Sequence, residues 1–333
     1  MKALVYTGPK TLELQEKPEP SAGPGDVGVR VDAVGICGSD MHGYLGHDAR
    51  RPAPLILGHE AAGTVVETGD GAAEWCGKRV TINPLVSCGK CSACLRGQNN
   101  ICPNREILSM PPREGAFADY VAIPASNIVA VPDDISAEQA CLVEPIACGW
   151  HAVKLAQKML SPLIDEARCA VLGGGAIGMG AALSLRAQCA RDITIYEPNA
   201  LRWPALRAEG FAVNQPAKNT ALRQTDLVID AVGYAATRDQ ACALAAPGAV
   251  IAHIGLGEAT GGLDPRYMTL QEVTFIGTYT YTPEDFHETA KALFAGELGA
   301  LEWVDRRKLA EGAVAFDDLL KGASPAPKIV LIP

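Results

Sequence analysis

The sequence has no apolar run approaching the ~18 residues that a membrane span needs. It begins Met1-Lys2-Ala3-Leu4-Val5-Tyr6, an alternating strand pattern without the long apolar region of a signal peptide, so neither a spanning nor an exported chain is expected. Basic charge is scarce as well. The 29 Lys and Arg face 38 Asp and Glu, and a net charge of −9 leaves nothing to neutralise phosphates in bulk, which argues against a nucleic-acid surface. The one basic cluster, Arg306-Arg307-Lys308, is short, flanked by acids, and reads as a solvated helix start. Internal repeats and low-complexity tracts are also missing. What remains is a composition 48% hydrophobic and 20% charged, that of a soluble globular protein. At 333 residues the chain exceeds one ordinary core, so two domains are expected.

Cysteine, by contrast, is plentiful. Cys88, Cys91, Cys94 and Cys102 form the pattern C-x2-C-x2-C-x7-C, with Gly, Lys, Ser and Ala between the first three. Such a short loop can wrap one tetrahedral ion, and four thiolates leave no open position, which makes a closed structural zinc site. An odd total of 11 cysteines and the lack of an export segment argue against disulfides. An iron–sulfur cluster is the other reading, because the first spacings and Cys102-Pro103 imitate a ferredoxin run. The fourth spacing is too long for that run, and no partner run exists. Abundant reduced cysteine points to the cytoplasm.

Along the chain, roughly the first 150 residues are rich in Gly and Pro with short alternating runs. Val27–Val31, Gly63–Glu67 and Arg79–Ile82 read as half-buried strands between turn signals such as Pro24-Gly25-Asp26. Near Ala137 the character changes. Cys169–Leu172, Ile193–Tyr196, Leu227–Asp230 and Ala249–Ala252 are apolar throughout and separated by helical segments, which predicts a parallel sheet covered on both faces. Lys328–Ile332 is again a strand and is expected to return to the first domain.

Gly173-Gly174-Gly175-Ala176-Ile177-Gly178 fits G-x-G-x-x-G. A strand precedes it, a helix-compatible run follows, and a second strand ends at Glu197, 197 − 178 = 19 residues past the last glycine. That is the spacing of a dinucleotide site: the glycines let the backbone approach the pyrophosphate at the helix N-terminus, and the acid binds the ribose hydroxyls. Glu197 repels a 2′-phosphate, which favours NAD over NADP, and Arg202 softens that repulsion.

Two further clusters, Gly35-Ile36-Cys37-Gly38-Ser39-Asp40-Met41-His42 and Gly58-His59-Glu60, precede the cysteine lobe and the glycine turn. In this order, over essentially the whole chain, the elements resemble the zinc-dependent medium-chain dehydrogenase/reductase family. The resemblance implies an α/β protein: a GroES-like β-rich catalytic domain (1–146, with the zinc lobe at about 84–105), a Rossmann doubly wound parallel-sheet domain (147–276) and a C-terminal return (277–333). It implies two zinc ions per chain, NAD, and a homodimer or homotetramer. Cys37 and His59 match the catalytic zinc's thiolate and imidazole ligands. Glu60 matches the following acid, and Glu144 matches the acid that the polyol branch uses where other alcohol dehydrogenases place cysteine. Such a mixed sulfur, nitrogen and oxygen site suits Zn²⁺ with room for an alcohol. Ser39 and His42 match the proton relay: zinc lowers the alcohol's pKa so that an alkoxide forms, the proton leaves through Ser39, the cofactor ribose and His42, and hydride passes to C4 of NAD⁺. Val232, Ile254, Gly255, Leu256 and Thr280 are implied to line the cofactor alongside Gly173, Gly175, Ile177 and Gly178. Asp40 reads as a turn-former, and His47, His151, His253 and His287 as structural.

The likeness is greatest to the sorbitol, xylitol, galactitol-phosphate, threonine and butanediol dehydrogenases, which implies oxidation of a secondary alcohol, most of all a polyol or sugar alcohol, free or phosphorylated. Sorbitol dehydrogenases carry an arginine in the motif matching Gly277-Thr278-Tyr279-Thr280-Tyr281. Thr280 stands there in this chain, which weakens sorbitol itself. Arg50, Arg51 and Arg113 offer charge for a phosphate or carboxylate. A non-catalytic NAD sensor and a zinc-free quinone reductase are the other readings. The relay residues argue against the first, and the ligand sets against the second.

Overall fold

The computed structural model describes residues 1–216 and 224–333. A six-stranded parallel sheet runs, edge to edge, through Ala212–Asn214, Asp192–Tyr196, Arg168–Leu172, Thr225–Asp230, Ala245–His253 and Thr274–Gly277. Its strands are apolar on both sides because both sides are covered. Cys169, Val171, Leu227 and Ile229 belong to one core, and Ala170, Leu172, Val228 and Ile251 to another on the opposite face, the alternation that a strand's two-residue period imposes. The strand order, with the first strand central and a reversal beside it, is that of a doubly wound dinucleotide-binding sheet.

The first part of the chain gives five strands of a seven-stranded sheet, completed by Lys328–Ile332 and Val304–Lys308; at its centre Asp26–Gly35 and Glu60–Thr68 pair antiparallel so that Gly35 faces Glu60. Its core gathers Val29, Val65, Ile82, Phe117 and Ile123. The helix Val143–Gln157 joins the two parts and packs on Ala176–Ala187. Gly149 permits that approach: a Cβ on it would lie 2.6 Å from the Ala181 backbone.

One expectation is corrected by the strand pairing. Arg306-Arg307-Lys308 does not start a helix. It lies in the strand Val304–Lys308, which pairs in parallel with Lys328–Ile332, and Arg307 is held by Asp305 at 2.9 Å and Asp318 at 2.6 Å. The basic side chains alternate along a strand flank, a pattern too short to separate from a helix by charge alone. Past residue 277 the chain first stays against the parallel sheet. Tyr281, Phe286, Leu293 and Trp303 still pack in the parallel sheet's core, and the chain rejoins the first sheet only at Val304. Lys328–Ile332 then pairs with Asp26–Gly35, as a return strand must. Among the described residues, no helix is long and apolar enough to cross a membrane.

Candidate functional site

Cys37 stands two residues past the Asp26–Gly35 strand and caps the helix Gly38–Tyr44, while Glu60 opens the strand paired with it and His59 immediately precedes that strand. That register brings a thiol, an imidazole and a carboxylate together: their ligand atoms all lie within 4.8 Å of one another. Asp40 completes the arrangement. It is fully buried, accepts the N–H of Cys37 at 3.0 Å and of Gly58 at 3.1 Å, and sits 3.4 Å from His59 Nδ1. With Nδ1 so occupied, Nε2 is left for a cation, the usual support of a metal-binding histidine. Burial alone raises a carboxyl pKa, yet the His59 ring and Arg51 hold Asp40 below its ordinary value. Asp40 is thus the turn-former expected and also the histidine's partner.

Both acids of the cleft are engaged by partners that motif matching does not single out. Glu60 receives Lys328 Nζ on both oxygens at 2.6 Å, and the same ammonium donates to the Ile36 carbonyl at 2.9 Å. Lys328 is 2% exposed, and although burial disfavours its charge, Glu60 holds its pKa above the ordinary lysine value. Glu144 stands in the first turn of Val143–Gln157, outside the three-residue cluster, and accepts the Tyr281 hydroxyl at 2.6 Å. Burial, aided by Glu60 and opposed by His59, pushes the Glu144 carboxyl up to about 7. A cation beside it would draw it back toward the ionised form.

Ser39 and His42 lie three residues apart on Gly38–Tyr44, hence on one face. Ser39 Oγ accepts from Arg51 Nη2 at 3.2 Å, and Arg51, 2% exposed, is paired with Asp48 at 2.5 Å. Arg51 is therefore committed to Ser39 and Asp48 and unavailable to a substrate. Arg50 is likewise paired with Asp48 at 2.9 Å, and Arg113 with Glu106 at 2.7 Å.

The four-cysteine lobe hangs from the short pairing of Leu85–Val86 with Glu106–Ile107. Cys91 and Cys94 sulfurs are 3.5 Å apart, Cys91 and Cys102 3.8 Å, and Cys102 and Cys88 3.5 Å. Zn–S bonds of about 2.3 Å in a tetrahedron require sulfurs about 3.8 Å apart, so the donor set fits one zinc ion. The spacings are too long for disulfides and too short for an iron–sulfur cluster, whose four thiolates are spread over more than one iron. Backbone N–H groups of Lys90 and Cys91 aim at Cys88 and lower its pKa to about 6, which favours the thiolate.

At the glycine turn, Gly173 takes φ +93°, and a Cβ on Gly178 would fall 1.8 Å from the Gly173 carbonyl oxygen, so only glycine fits. The helix Ala176–Ala187 begins at Gly175 without a side-chain cap, leaving its first N–H groups for an anion. Glu197 accepts the N–H of Gly174 at 2.7 Å and of Asn199 at 2.6 Å, and Arg202 lies 3.6 Å away. Ile177 lies in the first turn of this helix. Val232, Ile254, Gly255 and Leu256 follow the carboxyl ends of the adjoining strands, where such sheets bind ligands, and Thr280 stands three residues beyond the next one. Asp230 arranges that rim by accepting the N–H of Val232 at 3.1 Å and of Gly233 at 2.9 Å, and it pairs with His253 at 3.1 Å. His151 pairs with Asp285 at 2.7 Å and His287 with the Pro283 carbonyl at 2.6 Å, the structural roles expected of them.

Lys328, Tyr281 and Asp230 are the site residues that sequence reasoning missed. Only Lys328 left a signal, a lone cation inside an apolar return strand.

Two family models match this chain: the alcohol dehydrogenase GroES-like domain over residues 23–133 and the zinc-binding dehydrogenase over residues 176–296. The sorbitol dehydrogenase of Bacillus subtilis (strain 168) is 30% identical over 84% of this chain and 82% of its own length. The L-galactonate-5-dehydrogenase of Escherichia coli (strain K12) is 30% identical over 90% of this chain and 89% of its own. The crystal structure of galactitol-1-phosphate dehydrogenase from Escherichia coli superposes with a TM-score of 0.89 at 25% identity, covering 100% of both chains.

Proposed function

The chain belongs to the zinc-dependent medium-chain alcohol dehydrogenase family, and from that premise we propose that it oxidises a secondary alcohol, a polyol or sugar alcohol either free or phosphorylated, to the ketone with NAD⁺. The observation that carries this reading is the Cys37, His59 and Glu60 cluster, with its ligand atoms within 4.8 Å and its histidine oriented by Asp40. Sorbitol, galactonate and galactitol-phosphate are the named substrates of relatives, and each presents a chain of neighbouring hydroxyls. Thr280 in place of an arginine favours a smaller alcohol of the butanediol or threonine type as the second reading.

Cys37, His59 and Glu60 would hold the catalytic zinc, with Glu144 beside them, and Cys88, Cys91, Cys94 and Cys102 the structural one. Zinc in the cleft supplies Lewis acidity that makes an alcohol hydroxyl easier to deprotonate. NAD supplies the hydride acceptor. Ser39 has one hydroxyl proton to donate and two acceptor positions. Arg51 fills one acceptor position, so the other is left for the substrate hydroxyl and the Ser39 proton is free to be passed on. His42, half-exposed, would take up that proton and pass it to water, an exchange that an imidazole supports near neutrality.

We read residues 1–146 as the catalytic unit and the nucleotide-binding unit as running from residue 147 through Trp303. Glu197, 2% exposed and fixed by two backbone donors, supports NAD over NADP. A higher kcat/KM with NADP⁺ would overturn that choice. The edge strand Thr274–Gly277, with Leu270 60% exposed nearby, supports a homodimer or homotetramer, which a single-chain mass by light scattering would exclude. Its 11 unpaired cysteines support the cytoplasm.

A screen of polyols, their phosphates and small secondary alcohols with NAD⁺, followed by NADH absorbance, tests the function. Turnover of one class is expected. No turnover on any would leave a zinc-stabilised nucleotide sensor.

A further inference from the structure

One side chain of the four-cysteine lobe reaches out of it. Asn100, in the turn Asn99–Ile101 between Cys94 and Cys102, is 5% exposed and donates its Nδ2–H to the Tyr279 carbonyl at 2.7 Å. The same nitrogen lies 3.5 Å from His151 Nε2 on the joining helix. Arg105 donates to the Cys102 carbonyl at 2.8 Å and stacks its guanidinium over the Tyr279 ring, 4.9 Å from its centre. Arg50, from the loop after the helix Gly38–Tyr44, lies close enough to Tyr279 to interact with it. Tyr279 belongs to the segment that leaves the parallel sheet, yet the lobe and the first domain grip it from three sides.

That segment continues into the cleft. Thr280 takes φ +46°, a left-handed conformation that a β-branched residue avoids, and its Oγ1 is buried without a hydrogen-bond partner. Tyr281 follows and donates to Glu144 at 2.6 Å. A strained residue persists only where its surroundings over-determine it, and such residues gather at ligand sites. The contacts on Tyr279 supply that restraint here. The unpaired hydroxyl of Thr280 is of the kind that a hydroxyl-bearing substrate satisfies.

We propose that Asn100 is a positioning residue: by holding the Tyr279 carbonyl it fixes the strained turn that offers Thr280 Oγ1 to the substrate and Tyr281 to Glu144. The lobe then acts on substrate binding as well as on folding. This rests on the reading of the cleft as an alcohol-oxidising site.

The test uses the full-length, zinc-replete enzyme, with Asn100→Ala, Asn100→Asp and the control Asn99→Ala. Asn100→Asp keeps the side chain's shape and removes the donated N–H. Asn99 donates to Ser87 Oγ at 2.9 Å, a bond that stays inside the lobe. Deuterium uptake is followed in a peptide spanning Gly277 to Thr282, where the Thr278 amide donates to the His253 carbonyl at 2.9 Å and the Thr282 amide to Asp285 at 3.1 Å. Zinc per chain, kcat, and KM for NAD⁺ and for the best alcohol of the screen are measured alongside.

Both Asn100 variants should exchange about tenfold faster in this peptide and raise the alcohol KM about tenfold, the scale of one lost buried hydrogen bond. Zinc content should stay put, the NAD⁺ KM should rise less than the alcohol KM, and Asn99→Ala should match the unmodified enzyme. Unchanged exchange would overturn the clamp, and faster exchange with an unchanged alcohol KM would overturn its link to substrate. Equal effects from Asn99→Ala would reduce both to lobe folding. If the unmodified enzyme oxidises no alcohol, the proposed function fails, while the exchange measurement still decides whether Asn100 holds the turn.

Discussion

The four-cysteine lobe and the cleft cluster each gather groups that could hold a cation, but they are assembled in opposite ways. The lobe takes its four donors from one stretch, Cys88 to Cys102, with sulfurs 3.5 to 3.8 Å apart. The cleft draws its donors from separate elements, Cys37, His59 with Glu60, and Glu144, and ties both acids to other groups, Glu60 to Lys328 and Glu144 to Tyr281. A closed set of thiolates suits permanence. A set whose acids have partners of their own suits a site where ligands must make room for a substrate.

Removing one donor from each site should separate them most sharply. On the proposed function, in which the chemistry depends on a cation held there, Cys37→Ser is expected to lower turnover by about a thousandfold or more while the fold and any metal in the lobe stay. Cys94→Ser should instead lower stability by several kcal/mol, because metal binding at a structural site is folding free energy. Thermal unfolding and initial rates on both variants decide this, and equal losses of stability would erase the distinction.

Lys328→Met comes next. It leaves the Glu60 carboxylate, fully buried, without its cation, and breaking such a pair costs about 3–5 kcal/mol. The loss in denaturant unfolding should shrink when zinc is supplied, because the metal then faces Glu60. A loss that is the same with and without zinc would place Glu60 outside the metal's reach.

How far each region was legible in the sequence follows from the same contrast. The lobe's ligands are close neighbours in the chain, so spacing alone exposed them. The glycine turn and its acid were visible because strand, turn and helix follow one another within one βαβ unit. Cys37, His59 and Glu144 stand far apart, and only likeness to a family joined them. The partners were harder still. Tyr281 meets Glu144 across 137 residues and Lys328 meets Glu60 across 268, and no local pattern encodes such pairings. Arg306-Arg307-Lys308 misled for the converse reason: the strand it occupies is set by pairing with Lys328–Ile332, not by its own charges.

A smaller effect concerns the joining helix that carries Glu144. Burial pushes the Asp285 carboxyl up, but His151, Lys154 and the Thr282 hydroxyl and amide together hold it well below the usual carboxylate range. Its folded pKa lies below the unfolded value near 4, so its contribution is present above that pH and is lost as pH falls below it. Asp285→Asn should cost about 1–3 kcal/mol at pH 7 and progressively less below about pH 4, read by urea unfolding across pH. A deficit that does not change with pH would mean that the charge is irrelevant there.

The smallest effect is expected at the relay. His42→Gln should slow oxidation about tenfold near neutrality, with partial rescue by imidazole buffer and less effect at high pH, where hydroxide takes the proton. A uniform loss without rescue would make His42 a positioning residue.

The central claim, two cation sites with different duties, is tested most directly by timed removal of zinc with a chelator while metal per chain, turnover and unfolding temperature are followed together. Starting from two zinc ions, the first to leave should take turnover with it and leave the unfolding temperature nearly unchanged, and the second should lower that temperature. One zinc ion at the outset, or turnover that survives loss of the first, would contradict the account.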